Sequence, residues 1–139
     1  MPQERNQARH VWTGGCLCGA VRYEVRGPLR PVTNCHCGQC RRFHGHVGAY
    51  TAAKRADFTL AEESGLKWFE SSKEARRGFC ETCGSSLFFR SVDDGGKISL
   101  AAGTLDDARG LETVAHIFVA HKGDYYEITD DLDRFPEYD

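Results

Sequence analysis

Cys16-Leu17-Cys18-Gly19-Ala20-Val21-Arg22-Tyr23-Glu24-Val25-Arg26 sets two patterns end to end. The first is a metal knuckle: two thiols one residue apart, then a glycine that lets the chain turn sharply behind them. The second is a half-buried strand, in which Val21, Tyr23 and Val25 alternate with Arg22, Glu24 and Arg26. A knuckle feeding a short strand predicts a mainly β protein, with several small antiparallel sheets pinned by metal.

Outward from this stretch lie two more clusters, Cys35-His36-Cys37-Gly38-Gln39-Cys40 and Cys80-Glu81-Thr82-Cys83-Gly84. The chain has 7 cysteines, which divide as four plus three. Zinc uses four thiolates to close a structural site, whereas a catalytic site keeps three protein ligands and one open position. Cys16, Cys18, Cys80 and Cys83 make the set of four. The 61 residues between Cys18 and Cys80 mean that a shared ion would tie the start of the domain to its middle, and its binding would become folding free energy. Buried free thiols are the alternative for these pairs. Cys35, Cys37 and Cys40 make the set of three. One short segment can supply all three from one side and leave the other face to a substrate. Three thiolates on a divalent ion carry a net negative charge, which suits a soft thiol partner better than the generation of hydroxide. The expected cofactors are two zinc ions per chain, with disulfides or redox thiols as the alternative.

From Arg41 to Arg55 there are Arg41, Arg42, Lys54 and Arg55 and no acid. Arg41 and Arg42 directly follow the middle cluster and are candidate contacts for an anionic substrate; a solvated basic face is the other explanation. His36 sits inside the cluster, but alternation points it away from a metal held by its neighbours. His44 and His46 are candidates for a fourth ligand or for surface positions. His116 opens an apolar strand and reads either as a core histidine or as a residue lining the site. His10 and His121 carry no signal.

Further strand candidates are Val47 to Tyr50, Phe58 to Leu60, Leu66 to Glu70, Leu87 to Arg90, Ile98 to Ala101, His116 to Val119 and Tyr125 to Ile128. Gly95-Gly96 predicts a hairpin turn before Ile98. Short helical turns are expected over Gln39 to His44 and Leu105 to Arg109. The organisation is a polar tail over residues 1–10 and a single zinc-binding β domain over residues 11–139. The last segment, Asp124 to Asp139, holds seven acids against one arginine and reads as a solvated edge anchored by Phe135 and Tyr138. A net charge of -2 argues against a general nucleic-acid binder. No apolar run approaches the ~20 residues of a membrane helix. The start of the chain lacks the apolar stretch of a secretory signal, so a cytoplasmic location, where thiols stay reduced, is expected.

Together these residues resemble the glutathione-dependent formaldehyde-activating enzyme family, which also includes centromere protein V. The resemblance runs from about Gly14 to Glu137. It is carried by Thr-Gly-Gly-Cys-Leu-Cys-Gly-Ala-Val-Arg-Tyr-Glu at 13–24, Cys-His-Cys-Gly-Gln-Cys-Arg-Arg at 35–42, Gly-Phe-Cys-Glu-Thr-Cys-Gly-Ser-Ser-Leu at 78–87, His-Ile-Phe-Val at 116–119 and Phe-Pro-Glu at 135–137. It implies a mainly β fold of the β-tent kind with two zinc sites. Cys16, Cys18, Cys80 and Cys83 match the structural site, and Cys35, Cys37 and Cys40 the catalytic one. The implied activity is that of S-(hydroxymethyl)glutathione synthase, a carbon–sulfur lyase in the reverse direction, whose partners are a thiol such as glutathione and formaldehyde or a related aldehyde. Arg41 or Arg42 would then hold a glutathione carboxylate. Tyr50 and His116 are the candidates to carry the proton. The stretch His-Lys-Gly-Asp-Tyr-Tyr-Glu-Ile at 121–128 departs from the Lys-x-Pro-Trp pattern of many members, so substrate choice can differ here. Two non-enzymatic alternatives are a zinc module that binds a partner through its sheets, and a thiol redox or metal sensor.

Overall fold

The computed structural model describes residues 10–138, so the polar stretch expected over residues 1–10 lies, His10 apart, outside the described residues. The fold is mainly β. Among the described residues, eleven strands form two sheets. The smaller sheet has the order β1 (Val11–Gly15), β2 (Arg22–Arg26), β5 (Phe58–Glu62) and is antiparallel throughout. The larger one has eight strands in the order β11 (Asp133–Arg134), β10 (Thr113–Ile117), β3 (Val32–Cys35), β4 (Gly48–Lys54), β9 (Lys97–Ala101), β8 (Ser86–Ser91), β7 (Ala75–Cys80), β6 (Leu66–Ser72). Its pairings are antiparallel except where β10 lies parallel to β3 and to β11.

The two sheets share one core. Tyr23 and Val25 of β2 and Trp12 of β1 are buried with Leu87 and Phe88 of β8 and Leu100 of β9. The alternation read at Val21, Tyr23 and Val25 is this core face; Arg22 and Glu24 stay half exposed between them. Tyr23 meets Phe88 with ring centroids 5.4 Å apart, and its hydroxyl is hydrogen-bonded to the Thr104 hydroxyl at 2.7 Å. Gly95 and Gly96 make the turn between β8 and β9, both with positive φ, and Lys97 N donates to Asp94 O at 3.1 Å.

Two expected elements are absent, each for a visible reason. Leu105 to Arg109 is not a helix, because the chain there is tied to β1: Leu105 bridges Gly14, and Asp106 N donates to Thr13 O at 2.9 Å. Tyr125 to Ile128 is not a strand. Its backbone is caught by Lys122 Nζ donating to Tyr126 O at 2.6 Å, and its two tyrosine hydroxyls meet histidine rings, Tyr126 half-buried against His36 and Tyr125 exposed beside His46. The acidic tail does form an edge: β11 is exposed, and Phe135 N donates to His116 O at 2.9 Å. Among the described residues no helix is long and apolar enough to cross a membrane.

Candidate metal centre

The topology brings the outer clusters together. Cys16 follows β1 and Cys80 ends β7, so the four sulfurs of Cys16, Cys18, Cys80 and Cys83 stand where the smaller sheet meets the larger one. All four lie within 4.8 Å of one another, close enough for one metal ion to touch each. Gly19 and Gly84, with φ of 87° and 81°, take the left-handed conformation behind each knuckle, which a side chain would oppose. Backbone amides point at the sulfurs: Val21 N donates to Cys16 Sγ at 3.2 Å and Cys83 N to Cys80 Sγ at 3.5 Å. Such amides offset thiolate charge.

Gly65 closes this centre from outside. A Cβ there would stand 2.7 Å from Ala20 Cβ and 2.8 Å from Cys80 Sγ. Neither neighbour can swing away. Gly65→Ala is expected to destabilise the protein by about 1–3 kcal/mol, the usual range for overpacking, read as a lower urea midpoint. An unchanged midpoint would mean that the knuckle is looser than its contacts imply.

The middle cluster forms its own centre. Cys35 ends β3, Cys37 is the N-cap of helix α1 (Gly38–His44), and Cys40 lies in its first turn. Cys37 Sγ accepts from Cys40 N at 3.3 Å, so the Cys-x-x-Cys spacing is also a helix start. The three sulfurs lie within 4.8 Å of one another and can likewise hold a metal ion. Hydrogen bonds from Cys35 and Cys40 pull the Cys37 thiol down to about 2, and the contacts with Cys37 and Cys40 push Cys35 up. Three thiols this close share out their protons unequally, which leaves negative charge on the group at neutral pH.

This centre floors a cavity of about 650 Å³. Tyr50, Arg77, Phe89 and Phe118 line it with the cysteines, and Arg30, Glu74 and His121 contribute to its wall. Such a volume is usual for a small-molecule site. Phe118 is the one non-glycine described residue with positive φ, 56°, and strained backbone of this kind clusters at ligand sites.

Of the residues expected to contact substrate, Tyr50 alone lines the cavity; Arg41, Arg42 and His116 do not. Arg42 borders a separate hollow with Phe43, Phe69 and Phe79. His116 is buried on β10, where its Nε2 and Asp130 Oδ2 are 2.9 Å apart and its Nδ1 and His36 Nε2 are 2.8 Å apart. The contact with His116 holds the Asp130 carboxyl below its usual range, so this carboxylate accepts. The tautomers follow in sequence: His116 Nε2–H donates to Asp130, His36 Nε2–H donates to His116, and the Tyr126 hydroxyl donates to His36 Nδ1. His36 therefore faces away from the cysteines, as alternation predicts. His44 and His46 meet tyrosine hydroxyls, of Tyr50 and Tyr125 respectively, and neither joins the metal-binding group.

Sequence reasoning missed Arg77. It is 3% exposed, and its Nη1 and Nη2 both reach Cys40 Sγ at 3.7 Å. No signal in the sequence marks it. Counting back by twos from the buried Cys80 turns Arg76 inward, but a bulge at Gly78/Phe79 shifts the register, leaving Arg76 exposed and Arg77 buried. Arg77 Nη1 also donates to Tyr50 Oη at 3.4 Å, and Tyr50 Oη lies 2.6 Å from His44 Nε2. Burial pushes the Tyr50 hydroxyl well above the usual phenol range, so it keeps its proton and donates to His44.

Burial, and then the Arg77 charge, lower His44 to about 4. An unfolded histidine takes its proton near 6.5. Between these values the unfolded chain binds more protons than the folded one, so acidification across this window favours unfolding. The His44 ring is expected to stay neutral at about pH 5.5 in an NMR titration; a midpoint near 6.5 would contradict the buried arrangement.

A sequence model described as glutathione-dependent formaldehyde-activating enzyme matches residues 11–121. That span holds both cysteine centres. The chain belongs to this family. A protein of Schizosaccharomyces pombe, named as an uncharacterized lyase, is 22% identical over 125 residues, covering 89% of this chain and 90% of its own. A Halomonas elongata protein named "Putative glutathione-dependent formaldehyde-activating enzyme" is 28% identical over 130 residues, covering 83% and 79%. The crystal structure of a Rhodobacter sphaeroides protein superposes with a TM-score of 0.58 at 25% identity, covering 70% of this chain and 90% of that one. Membership and the lyase name of a relative support a lyase or formaldehyde-activating function for this family member.

Proposed function

We propose that this family member is a zinc-dependent carbon–sulfur lyase that joins a thiol of the glutathione class to formaldehyde, or splits the adduct. The observation that carries the reading is the three-cysteine centre at the floor of a cavity, set apart from a four-cysteine centre at the sheet junction. Four sulfurs around zinc at about 2.3 Å stand about 3.8 Å apart. The Cys16–Cys18 and Cys18–Cys80 sulfurs are 3.7 and 3.8 Å apart, which supports zinc in the closed centre. Thiolate donors in the second set favour the same metal.

Cys35, Cys37 and Cys40 would hold the second zinc, which supplies a Lewis acid that keeps a thiol deprotonated or polarises the aldehyde oxygen. The remaining work falls to the chain. Addition forms one carbon–sulfur bond and moves one proton from sulfur to the former carbonyl oxygen. Tyr50 is the carrier best placed for that proton, with Arg77 donating to its oxygen and His44 Nε2 accepting behind it. Arg30 and Arg77 put positive charge on the cavity wall. Phe89 and Phe118 place apolar surface beside the sulfurs, and confinement would supply proximity.

The test is exchange NMR with carbon-13 formaldehyde and glutathione. Zinc-loaded protein is expected to speed exchange between free and adduct forms, with about two zinc ions per chain by metal analysis. Exchange no faster than in buffer would remove the proposed activity.

A further inference from the structure

A guanidinium taken out of water needs an anion, or a full set of acceptors, to hold its charge. Arg77 is 3% exposed, and among the described residues it forms no ion pair with a carboxylate. Its donors go elsewhere. Nε and Nη2 donate to Gln39 Oε1, each at 3.3 Å. Nη1 donates to Tyr50 Oη at 3.4 Å, and Nη1 and Nη2 both reach Cys40 Sγ at 3.7 Å. The rings of Phe43 and Phe89 lie 5.4 and 5.0 Å from its central carbon. Gln39 and Tyr50 are neutral, so the charged partner of this buried cation is the sulfur of a metal-ligand cysteine.

The charge arithmetic gives this contact a purpose. Three thiolates on a divalent ion sum to one negative charge, and Arg77 brings that to zero. A fourth thiolate entering the same centre would leave two negative charges without Arg77, and one with it. Beside sulfurs that are buried or half-buried, that difference bears strongly on whether an anion enters. The fork is also pre-aimed: Gln39 precedes Cys40 on α1 and fixes the guanidinium on that sulfur.

We propose that Arg77 is a positioning residue that admits an anionic fourth ligand to the Cys35–Cys37–Cys40 centre, its buried guanidinium on Cys40 Sγ balancing the added charge. This rests on the function proposed above. It separates two kinds of ligand: a thiolate should depend on Arg77, whereas a neutral ligand at the same position should not.

Cobalt-loaded protein makes the comparison direct, because ligand entry changes the visible spectrum. The probes are 2-mercaptoethanol, which binds as a thiolate, and imidazole, which binds neutral. Arg77→Met is expected to weaken 2-mercaptoethanol binding roughly tenfold to a hundredfold, the range for loss of a charge-assisted contact. Imidazole binding should stay within about twofold, and cobalt per chain should not change. Equal loss for both probes, or no loss for the thiol, overturns the proposal. Arg77→Lys keeps the charge and carries the test if the methionine variant does not fold. Its thiol-to-imidazole affinity ratio should stay within about threefold of the unmodified protein, and a collapse of that ratio overturns the proposal as well. If the unmodified protein takes up two cobalt ions and neither probe alters its spectrum, the centre has no open position. In that case the proposed function fails, and this inference fails with it.

Discussion

Cys80→Ala is expected to eliminate the folded protein rather than to weaken it. Cys80 is fully buried at the end of β7, and its sulfur stands 3.8 Å from that of Cys18, which lies at the other sheet. These two cysteines come from parts of the chain with 61 residues between them. Without a shared ion, the closure of that loop rests on the apolar core alone. Structural zinc in small domains contributes about 10–16 kcal/mol at neutral pH. Whole domains are stable by only about 5–15 kcal/mol. A lost ligand that releases the ion therefore removes a quantity comparable to the entire margin. The expected result is aggregated or unfolded protein, with the near-ultraviolet dichroism of Trp12 and Tyr23 lost. A strong chelator acting on the unmodified chain should have the same effect. A soluble, cooperatively unfolding Cys80→Ala protein would mean that the core around Phe88 holds the two sheets without metal.

What the sequence made legible follows from where its patterns are simple. The cysteines could be sorted because metal-ligand spacing is local, and because four plus three matches two different coordination needs. The strand at Val21, Tyr23 and Val25 was legible because one of its faces meets solvent. β1 was hidden by Gly14 and Gly15, a residue type depleted in strands, although they pair with Tyr23 and Arg22. β7 was hidden by its arginines. A charged residue turned inward breaks the alternation that identifies a strand, and such breaks gather where a site needs the charge. Arg41 and Arg42 show the opposite effect. They follow Cys40 in sequence, but each helical residue rotates by about 100°, so adjacency to a cavity-facing cysteine carries them off the cavity. Arg77, 37 residues from Cys40 in sequence, is the arginine that reaches the sulfur.

Cys37→Ala should separate chemistry from folding. Cys37 is half-buried, and the residues packed around its centre form a cluster distinct from the main core. As the N-cap of a seven-residue helix it accepts one backbone hydrogen bond, from Cys40 N. Losing a cap costs about 1 kcal/mol, well inside a domain's stability. Losing a ligand from a three-thiolate centre is a different matter. Even an outer partner of a metal ligand is worth about 10–100-fold in metal affinity or activity. The variant is therefore expected to stay folded, to fall from about two zinc ions per chain to about one, and to accelerate formaldehyde–thiol exchange at least roughly 100-fold less than the unmodified protein. Cys37→Ser makes the division sharper. A serine oxygen is a good helix cap but a hard, weakly binding donor for this metal. Serine should restore the lost stability and leave the exchange rate at the level of the alanine variant. Recovery of both together would show that Cys37 acts through the helix, and that the metal is held by other residues.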